Sequence, residues 1–348
     1  MPDADSPLPQ ALAALARRDS LTERQTADAF ETVMRGEATP AQMAALLMGL
    51  RVKGETAEEL AGAARALRRV MVTVAVADDH MVDTCGTGGG LVPTFNISTA
   101  AAFVAAGAGA KVAKHGNRSF TSRCGSADLL EALGVPISFD AASAALALRT
   151  VGMTFLFAPN FHPAMKHVGP VRRELGVPSI MNLLGPLANP AGTKRQVVGV
   201  ADASRAPLMA DALARLSAEH ALVVHGRVGM DEISPVGITD VWEIRGGGVT
   251  MWELDPARHG LGARDADALR GGEPAANAAR VERLLANGGA DGDPAALAAV
   301  LLNAAAAIHV SGVAASFEEG IERARAAVTS GAARAVLEGL RRVPNTSG

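Results

Sequence analysis

Residues 83–99 read DTCGTGGGLVPTFNIST, and the fold follows from what this stretch must do. A short apolar lead-in from about residue 81 reads as a strand. Four glycines follow it, Gly86, Gly88, Gly89 and Gly90, and then Asn96, Ser98 and Thr99 stand before an Ala-rich helical run. Glycines let backbone approach an anion closely, and a helix start presents unpaired N–H groups with positive dipole character. The stretch therefore reads as a phosphate cradle between a strand and a helix, or as a Gly-rich turn capped by Ser98 or Thr99. A dinucleotide fingerprint would need Gly at position 91, where Leu91 stands, and the Gly-Lys-Ser/Thr of a P-loop is absent.

Downstream the same alternation continues. Apolar segments at 110–113, 154–157, 196–201 and 220–225 read as strands, and helical stretches at 97–107, 126–133 and 204–217 lie between them. Strands alternating with helices imply parallel crossovers and a sheet covered on both faces. Residues 240–253, with glycines at 246–248, predict a hairpin. Upstream, no strand signal interrupts the first 72 residues. Ser20 with Glu23, Thr39-Pro40 and Thr56 with Glu59 predict successive helix starts, with stops at Gly36 and Gly54. Asp293-Pro294 and Ser316 with Glu319 predict helices in the tail, while 262–292 reads as loop or a short helix. The expected architecture is a small all-helical domain over 1–76 and an α/β domain over 77–348 with a mainly parallel central sheet flanked by helices. The segment near 170–190 is expected to return to the small domain.

Composition narrows the function. The 348 residues carry 33 Lys and Arg against 36 Asp and Glu, a net charge of −3, and no Tyr. That argues against a nucleic-acid-binding field or a stacking platform. Cys85 and Cys124 cannot form a disulfide framework or a Cys-rich zinc site, and neither has the setting of a nucleophile. The N-terminus carries Asp3 and Asp5 with prolines, so no signal peptide is expected. The longest uncharged small-apolar stretch is read at 100–110, too short to span a bilayer.

Three further clusters carry chemistry. KHGNRSFTSRCGS at 114–126 follows a strand, where ligand crevices form in open α/β sheets. Residues 114–173 hold seven Lys and Arg against three acids, and a focused basic pocket of that kind suits a small polyanion. In 158–175, His162, Lys166, His167, Arg172 and Arg173 lie close together, and one Arg could hold a carboxylate through two hydrogen bonds. Asp231-Glu232, in a loop after the strand at 220–225, suits Mg²⁺ when phosphates complete the coordination.

These motifs occur in a fixed order: Gly-Thr-Gly-Gly at 86–89, Thr94 to Thr99, Lys114 to Arg118, Gly125 to Asp128, Phe161 to Lys166, Asn182 to Leu187 with Asn189-Pro190, and Asp231-Glu232. Over about 20–340 the chain closely resembles the anthranilate phosphoribosyltransferase family. The resemblance implies a nucleoside phosphorylase/phosphoribosyltransferase-like fold, with the active site between the two domains and a homodimer formed through the helical ones. It implies transfer of the 5-phosphoribosyl group of 5-phosphoribosyl 1-diphosphate (PRPP) to the amino group of anthranilate, the second step of tryptophan biosynthesis from chorismate; the composition predicts a cytoplasmic protein without nucleic acid or membrane as partners. Two rivals share the architecture, a pyrimidine nucleoside phosphorylase and a non-catalytic nucleic-acid-binding paralogue.

Carried onto this chain, the PRPP site comprises Gly86, Gly89, Gly90, Thr94, Asn96, Ile97, Ser98, Thr99, Lys114, His115, Gly116, Asn117, Arg118, Ser119, Phe120, Thr121, Ser122 and Ser126. Anthranilate meets Gly86, Asn117 and Arg172, with His115 and His162 lining its path. Two Mg²⁺ ions per subunit are implied, one on Ser98 and one on Asp231 and Glu232. No residue is implied as a general acid or base. The family usually places Asp and then Gly where this chain has Gly90 and Leu91, and Pro93 is also unusual there.

Overall fold

The computed structural model describes residues 6–76, 78, 80–119, 123–287 and 292–344. Helices α1 (Pro7–Ala16), α2 (Glu23–Met34), α3 (Pro40–Lys53) and α4 (Ala57–Val70) precede the first strand. Thr39 and Thr56 cap α3 and α4 as expected, each with a reciprocal bond from its third helical residue, Gln42 or Glu59. The start of α2 differs. Its cap is Thr22, paired with Gln25, because Thr22 is the extended residue whose hydroxyl meets the Gln25 N–H, whereas Ser20 lies two residues outside the helix.

Then follow β1 (Val82–Gly86), α5 (Ile97–Gly107), β2 (Val112–Gly116), α6 (Ser126–Ala132), α7 (Ala141–Thr150) and β3 (Met153–Phe157). Next come α8 (Ala158–Phe161), α9 (Met165–Leu175), α10 (Met181–Leu184), β4 (Arg195–Gly199), α11 (Ala206–Arg215) and β5 (His220–Gly226). The expected hairpin is β6 (Thr239–Arg245) and β7 (Gly248–Leu254). Helices α12 (Pro274–Asn287), α13 (Pro294–Ser311), α14 (Phe317–Thr329) and α15 (Ala332–Arg341) close the described chain.

Two expectations need correction. The region 262–292 holds the 14-residue α12, whose Val281, Leu284 and Leu285 bury one stripe beneath a polar, Ala-rich exterior. The longest uncharged apolar run is α13, not 100–110. Its 18 residues would be long and apolar enough to cross a membrane, but 83% of that window is buried, where it packs on α5, α14 and the sheet.

Among the described residues the sheet order is β3-β2-β1-β4-β5-β6-β7. The first five strands run parallel, and β6 and β7 join antiparallel. The chain winds outward from β1 through β2 to β3, then returns to the other side of β1 with β4. The carboxyl ends of β1 and β4 therefore flank the point where the winding reverses, the place where open α/β sheets form ligand crevices.

Each face of the sheet carries its own core. Val197, Leu222 and Val224 point into one cluster with α5, α13, α14 and α15. Val198, Ala221 and Val223 point into the other, shared with α1–α4, α9, α10 and α11. Both neighbours of each alternating pair are buried, which explains why β4 and β5 read as continuous apolar runs. Val168, Val171, Met181 and Leu184, from 165–184, join the cluster that holds the N-terminal helices.

Candidate active site

Loops leaving the carboxyl ends of β1 and β5 meet above β4. Gly199, the last residue of β4, has Asp231 lying directly on it: a Cβ there would stand 1.6 Å from the Asp231 carbonyl oxygen. At Gly86 a Cβ would stand 2.7 Å from Asp231 Oδ2, and at Gly90 it would stand 3.0 Å from the Gly229 carbonyl and 3.2 Å from Asp231 Oδ1. Gly88 and Gly89 adopt positive φ, +69° and +83°. Glycine is thus required for two reasons in one loop, close approach to an acid and left-handed backbone.

The Gly88 N–H donates to Asp231 Oδ2 at 2.9 Å, and the Ser98 N–H, in the first turn of α5, donates to Glu232 Oε1 at 3.0 Å. The donors that the sequence assigns to a phosphate are therefore held here by the acidic pair. From β2, Lys114 reaches under the loop, 2% exposed. Its ammonium donates to the Thr84 carbonyl and lies 3.4 Å from Ser98 Oγ.

Burial dominates the electrostatics. It pushes the Glu232 carboxyl up to about 8, with Asp231 beside it adding to the rise and Lys114 only partly offsetting it. Burial also raises Asp231 and Asp83 and lowers Lys114. Two adjacent carboxylates raised together make a site short of positive charge. Their donors are all oxygens, with a hydroxyl at Ser98 nearby, the set a hard divalent cation such as Mg²⁺ prefers.

On the other side of β2, His115 and His162 meet Nε2 to Nε2 at 3.2 Å. His115 Nδ1 lies 3.1 Å from the Gly185 carbonyl and donates to it, which leaves its Nε2 as acceptor for the His162 N–H. Burial holds His115 down at about 3 and His162 at about 4, so both are neutral near pH 7. Arg172 lies in α9 and is partly buried, with its guanidinium lowered by desolvation. Among the described residues it has no carboxylate partner. His167, in the same helix, packs on Gly36 of the N-terminal helices, where a Cβ would approach its ring to 2.6 Å.

Not every residue expected at the site has a free side chain there. Arg118 is committed to Asp128 at 2.9 Å and to Glu131 at 2.5 and 2.8 Å, the strongest counter-charges within reach. Ile97 is fully buried in the core, and its N–H already donates to Phe95. Asn96 ties the Cys124 carbonyl and Asn277 together, and Thr94 forms a bridge with Arg270. Thr99 is 1% exposed with a hydroxyl that has no partner. Gly116 is forced by Ser126, whose Oγ lies 2.2 Å from where a Cβ would stand, and the Ser126 hydroxyl donates to the Asn117 carbonyl. The Ser119 N–H donates to Asp128 at 3.3 Å. Phe120, Thr121 and Ser122 lie outside the described residues. Both thiols are pushed up by burial, Cys124 to about 11, in keeping with their reading as non-nucleophiles.

Three supporting contacts escaped the sequence reading. Asp83 accepts from the His115 N–H at 3.0 Å and from Asn189 at 2.8 Å, which locks β1 to β2 under the site. Asn303 of α13 clamps the backbone next to Glu232, accepting from Ile233 N–H at 3.0 Å and donating to its carbonyl at 2.8 Å. The signal for Asp83 and Asn303 was a lone polar residue in an apolar run, Asp83 inside a strand and Asn303 inside LLNAAAAI.

The chain matches two family models, "Glycosyl transferase family, helical bundle domain" over residues 9–71 and "Glycosyl transferase family, a/b domain" over 78–334. An anthranilate phosphoribosyltransferase of Roseiflexus castenholzii is 50% identical over 337 residues, covering 96% of this chain and 97% of the relative. The crystal structure of anthranilate phosphoribosyltransferase from Thermus thermophilus superposes with a TM-score of 0.89 at 42% identity, covering 95% of this chain and 98% of that one. The enzyme from Saccharomyces cerevisiae in complex with PRPP and Mg gives 0.88 at 29% identity, covering 97% of each chain.

Proposed function

The chain belongs to the anthranilate phosphoribosyltransferase family, and on that premise we propose how its own residues divide the work of the reaction. It transfers the 5-phosphoribosyl group of PRPP to the amino group of anthranilate, releasing diphosphate. The observation that carries the residue assignment is the meeting of Gly88, Ser98, Asp231 and Glu232 at the point where the sheet's winding reverses.

Asp231 and Glu232 would hold one Mg²⁺, and Ser98 would ligate a second. Their oxygen donors and the raised carboxyls fit a divalent cation. When bound, Mg²⁺ neutralises the charge that develops on the departing diphosphate. The N–H groups of Gly88 and Ser98, which here donate to Asp231 and Glu232, would serve phosphate oxygens once those carboxylates held a cation. Lys114, fixed from below, adds positive charge beside Ser98. The loop 86–99 and the 114–119 strand end cradle PRPP, with Gly86, Gly89, Gly90, Asn117 and Ser126 permitting close approach.

Anthranilate enters past His115 and His162. Because both rings are neutral, they present apolar faces and hydrogen bonds without competing for its carboxylate. Arg172 takes that carboxylate and aims the amine at the ribose C1. The aromatic amine is already a neutral nucleophile, so positioning and preorganised charge supply the acceleration without a strong base. We read residues 1–76 and 77–348 as the two domains, the homodimer as formed through the helical one, and the location as cytoplasmic, with neither nucleic acid nor membrane as partner.

Loss of anthranilate fluorescence in the presence of PRPP and Mg²⁺ tests the assignment. Turnover should need both. Arg172→Ala should lower kcat/KM for anthranilate about 10- to 100-fold, mostly through KM, the loss expected for a charge-assisted hydrogen-bond pair. An Arg172→Ala enzyme with unchanged KM for anthranilate removes Arg172 from the site.

A further inference from the structure

The opposite end of the sheet carries a second cluster of ligating side chains. His220 opens β5 and is 4% exposed. The antiparallel register sets Leu222 against Glu243 and His220 against Arg245, so His220 and Glu243 lie diagonally on one face of the sheet. His220 Nε2 stands 2.9 Å from Glu243 Oε1. The last turn of α13 brings His309 over them, its ring edge-on to that of His220 with centroids 5.0 Å apart. One ligand atom from each of the three residues lies within 4.8 Å of the others.

The surroundings orient these atoms as an outer shell does. His309 Nδ1 is 3.3 Å from the Ala314 carbonyl, and donating there leaves Nε2 with its lone pair. The Trp252 N–H donates to Glu243 Oε2 at 3.0 Å, which steadies the carboxylate and leaves Oε1 toward the histidines. Burial holds the His220 imidazole below its ordinary value, and the neutral ring is the ligating form. Tetrahedral zinc, with bonds near 2.0–2.1 Å, separates its ligand atoms by about 3.3 Å. The ligand atoms, all within 4.8 Å of one another, therefore stand at most about 1.5 Å from that separation. Two imidazoles and one carboxylate select a borderline transition cation and reject Mg²⁺. The Arg245 charge near His220 opposes any cation, so the three ligands must outweigh it.

We propose that His220, Glu243 and His309 form a binding site for one zinc-class transition-metal cation, distinct from the Asp231-Glu232 pair, that clamps the β6–β7 hairpin to α13. The test uses the full chain, treated with a chelator and titrated with Co²⁺ in excess Mg²⁺, which fills hard oxygen sites. The expected result is one tight Co²⁺ per chain with the visible bands of a four-coordinate ion, displaced by one equivalent of Zn²⁺. His309→Gln should weaken binding about a hundredfold or more, and Glu243→Gln should weaken it less. Both positions are partly exposed, so both variants should fold, as circular dichroism would report, and should keep anthranilate turnover. If one fails to fold, the other decides. Absence of the bands, binding only at millimolar Co²⁺, or equal binding by wild type and folded variants overturns the proposal and leaves a plain His220–Glu243 hydrogen bond.

Discussion

Two enclosed glutamates show how the same side chain serves two ends. Glu59, at the start of α4, is fully buried and fully answered: Lys53 lies 2.9 Å away, and the N–H groups of Leu21 and Thr56 each donate at 2.9 Å. Glu232 keeps a partly open side, receives hydrogen bonds from the N–H and the side chain of Ser98, and has a second acid next to it in the chain. Its carboxyl is pushed up to about 8. An enclosed charge with its counter-charge built in ties one element to another. An enclosed charge set beside a like charge is costly until something from outside completes it. The first arrangement is architecture, and the second suits the cation seat proposed for Asp231 and Glu232.

Substituting each glutamate gives the largest and most opposed effects. Glu232→Gln should lower kcat/KM by about 10²–10³-fold while leaving the metal-free Tm unchanged or higher, because the amide has no ionisation for burial and Asp231 to oppose. Glu59→Gln should do the reverse. It strands Lys53, costs about 3–5 kcal/mol and lowers Tm by roughly 5–15 °C, with turnover per folded molecule retained. Parallel melting curves and fluorescence assays read both. A Glu232 variant that melts early with normal activity breaks the comparison.

The glycines sharpen it at smaller scale. Gly86→Ala would set a methyl 2.7 Å from Asp231 Oδ2 and push the acid off its position. A roughly 10- to 100-fold loss in kcat/KM, carried mainly by a higher KM for PRPP, is expected at a cost of about 1–3 kcal/mol. Equal KM values for PRPP in the two enzymes would show that the loop absorbs the methyl.

The pH dependence has a defined sign. In the folded chain Glu232 titrates near about 8 against an ordinary 4.5, so between those values the folded state binds more protons than the unfolded state. Metal-free stability should therefore fall as pH rises through that window and level off above it. Mg²⁺ binds the charged form and should raise Tm by a few degrees more at about pH 8.5 than at about pH 6. Calorimetry with and without Mg²⁺ reads the difference, and Glu232→Gln should remove it. The smallest effect is an absence. With His115 at about 3 and His162 at about 4, turnover at saturating Mg²⁺ should show no imidazole inflection from about pH 5 upward. An inflection near about 6.5 that disappears in His162→Asn would place a charged ring in the anthranilate path.

Much of this was legible because the signals are local. Thr39-Pro40 and Thr56 with Glu59 sit where caps must sit, and the 246–248 glycines mark the hairpin. Ser20 is not the cap because Thr22, two residues on, is extended and its hydroxyl accepts from the Gln25 N–H. The helix over 274–287 was obscured by Ala, Asn and Arg, which give a weak apolar stripe in a Gly- and Asp-rich neighbourhood. The ion pairs of Arg118 were not legible, because its partners Asp128 and Glu131 are one helix away and only folding sets them against it.

By itself the sequence determined the order of strands and helices, the Gly-rich turn before a helix start, the charge balance and which acidic and basic side chains are offered to the candidate site. Each of these depends on residues within a few positions of one another. Only the tertiary structure decided that Asp231 lies on Gly86 and Gly199, that Glu232 caps α5, that Lys114 passes beneath the loop and that His220, Glu243 and His309 converge. Those contacts span tens to more than a hundred residues. They exist because a sheet gathers the ends of separate strands, the acidic pair at the carboxyl ends of its parallel strands and the histidines at the opposite end, and burial there turns ordinary side chains into groups that need a partner.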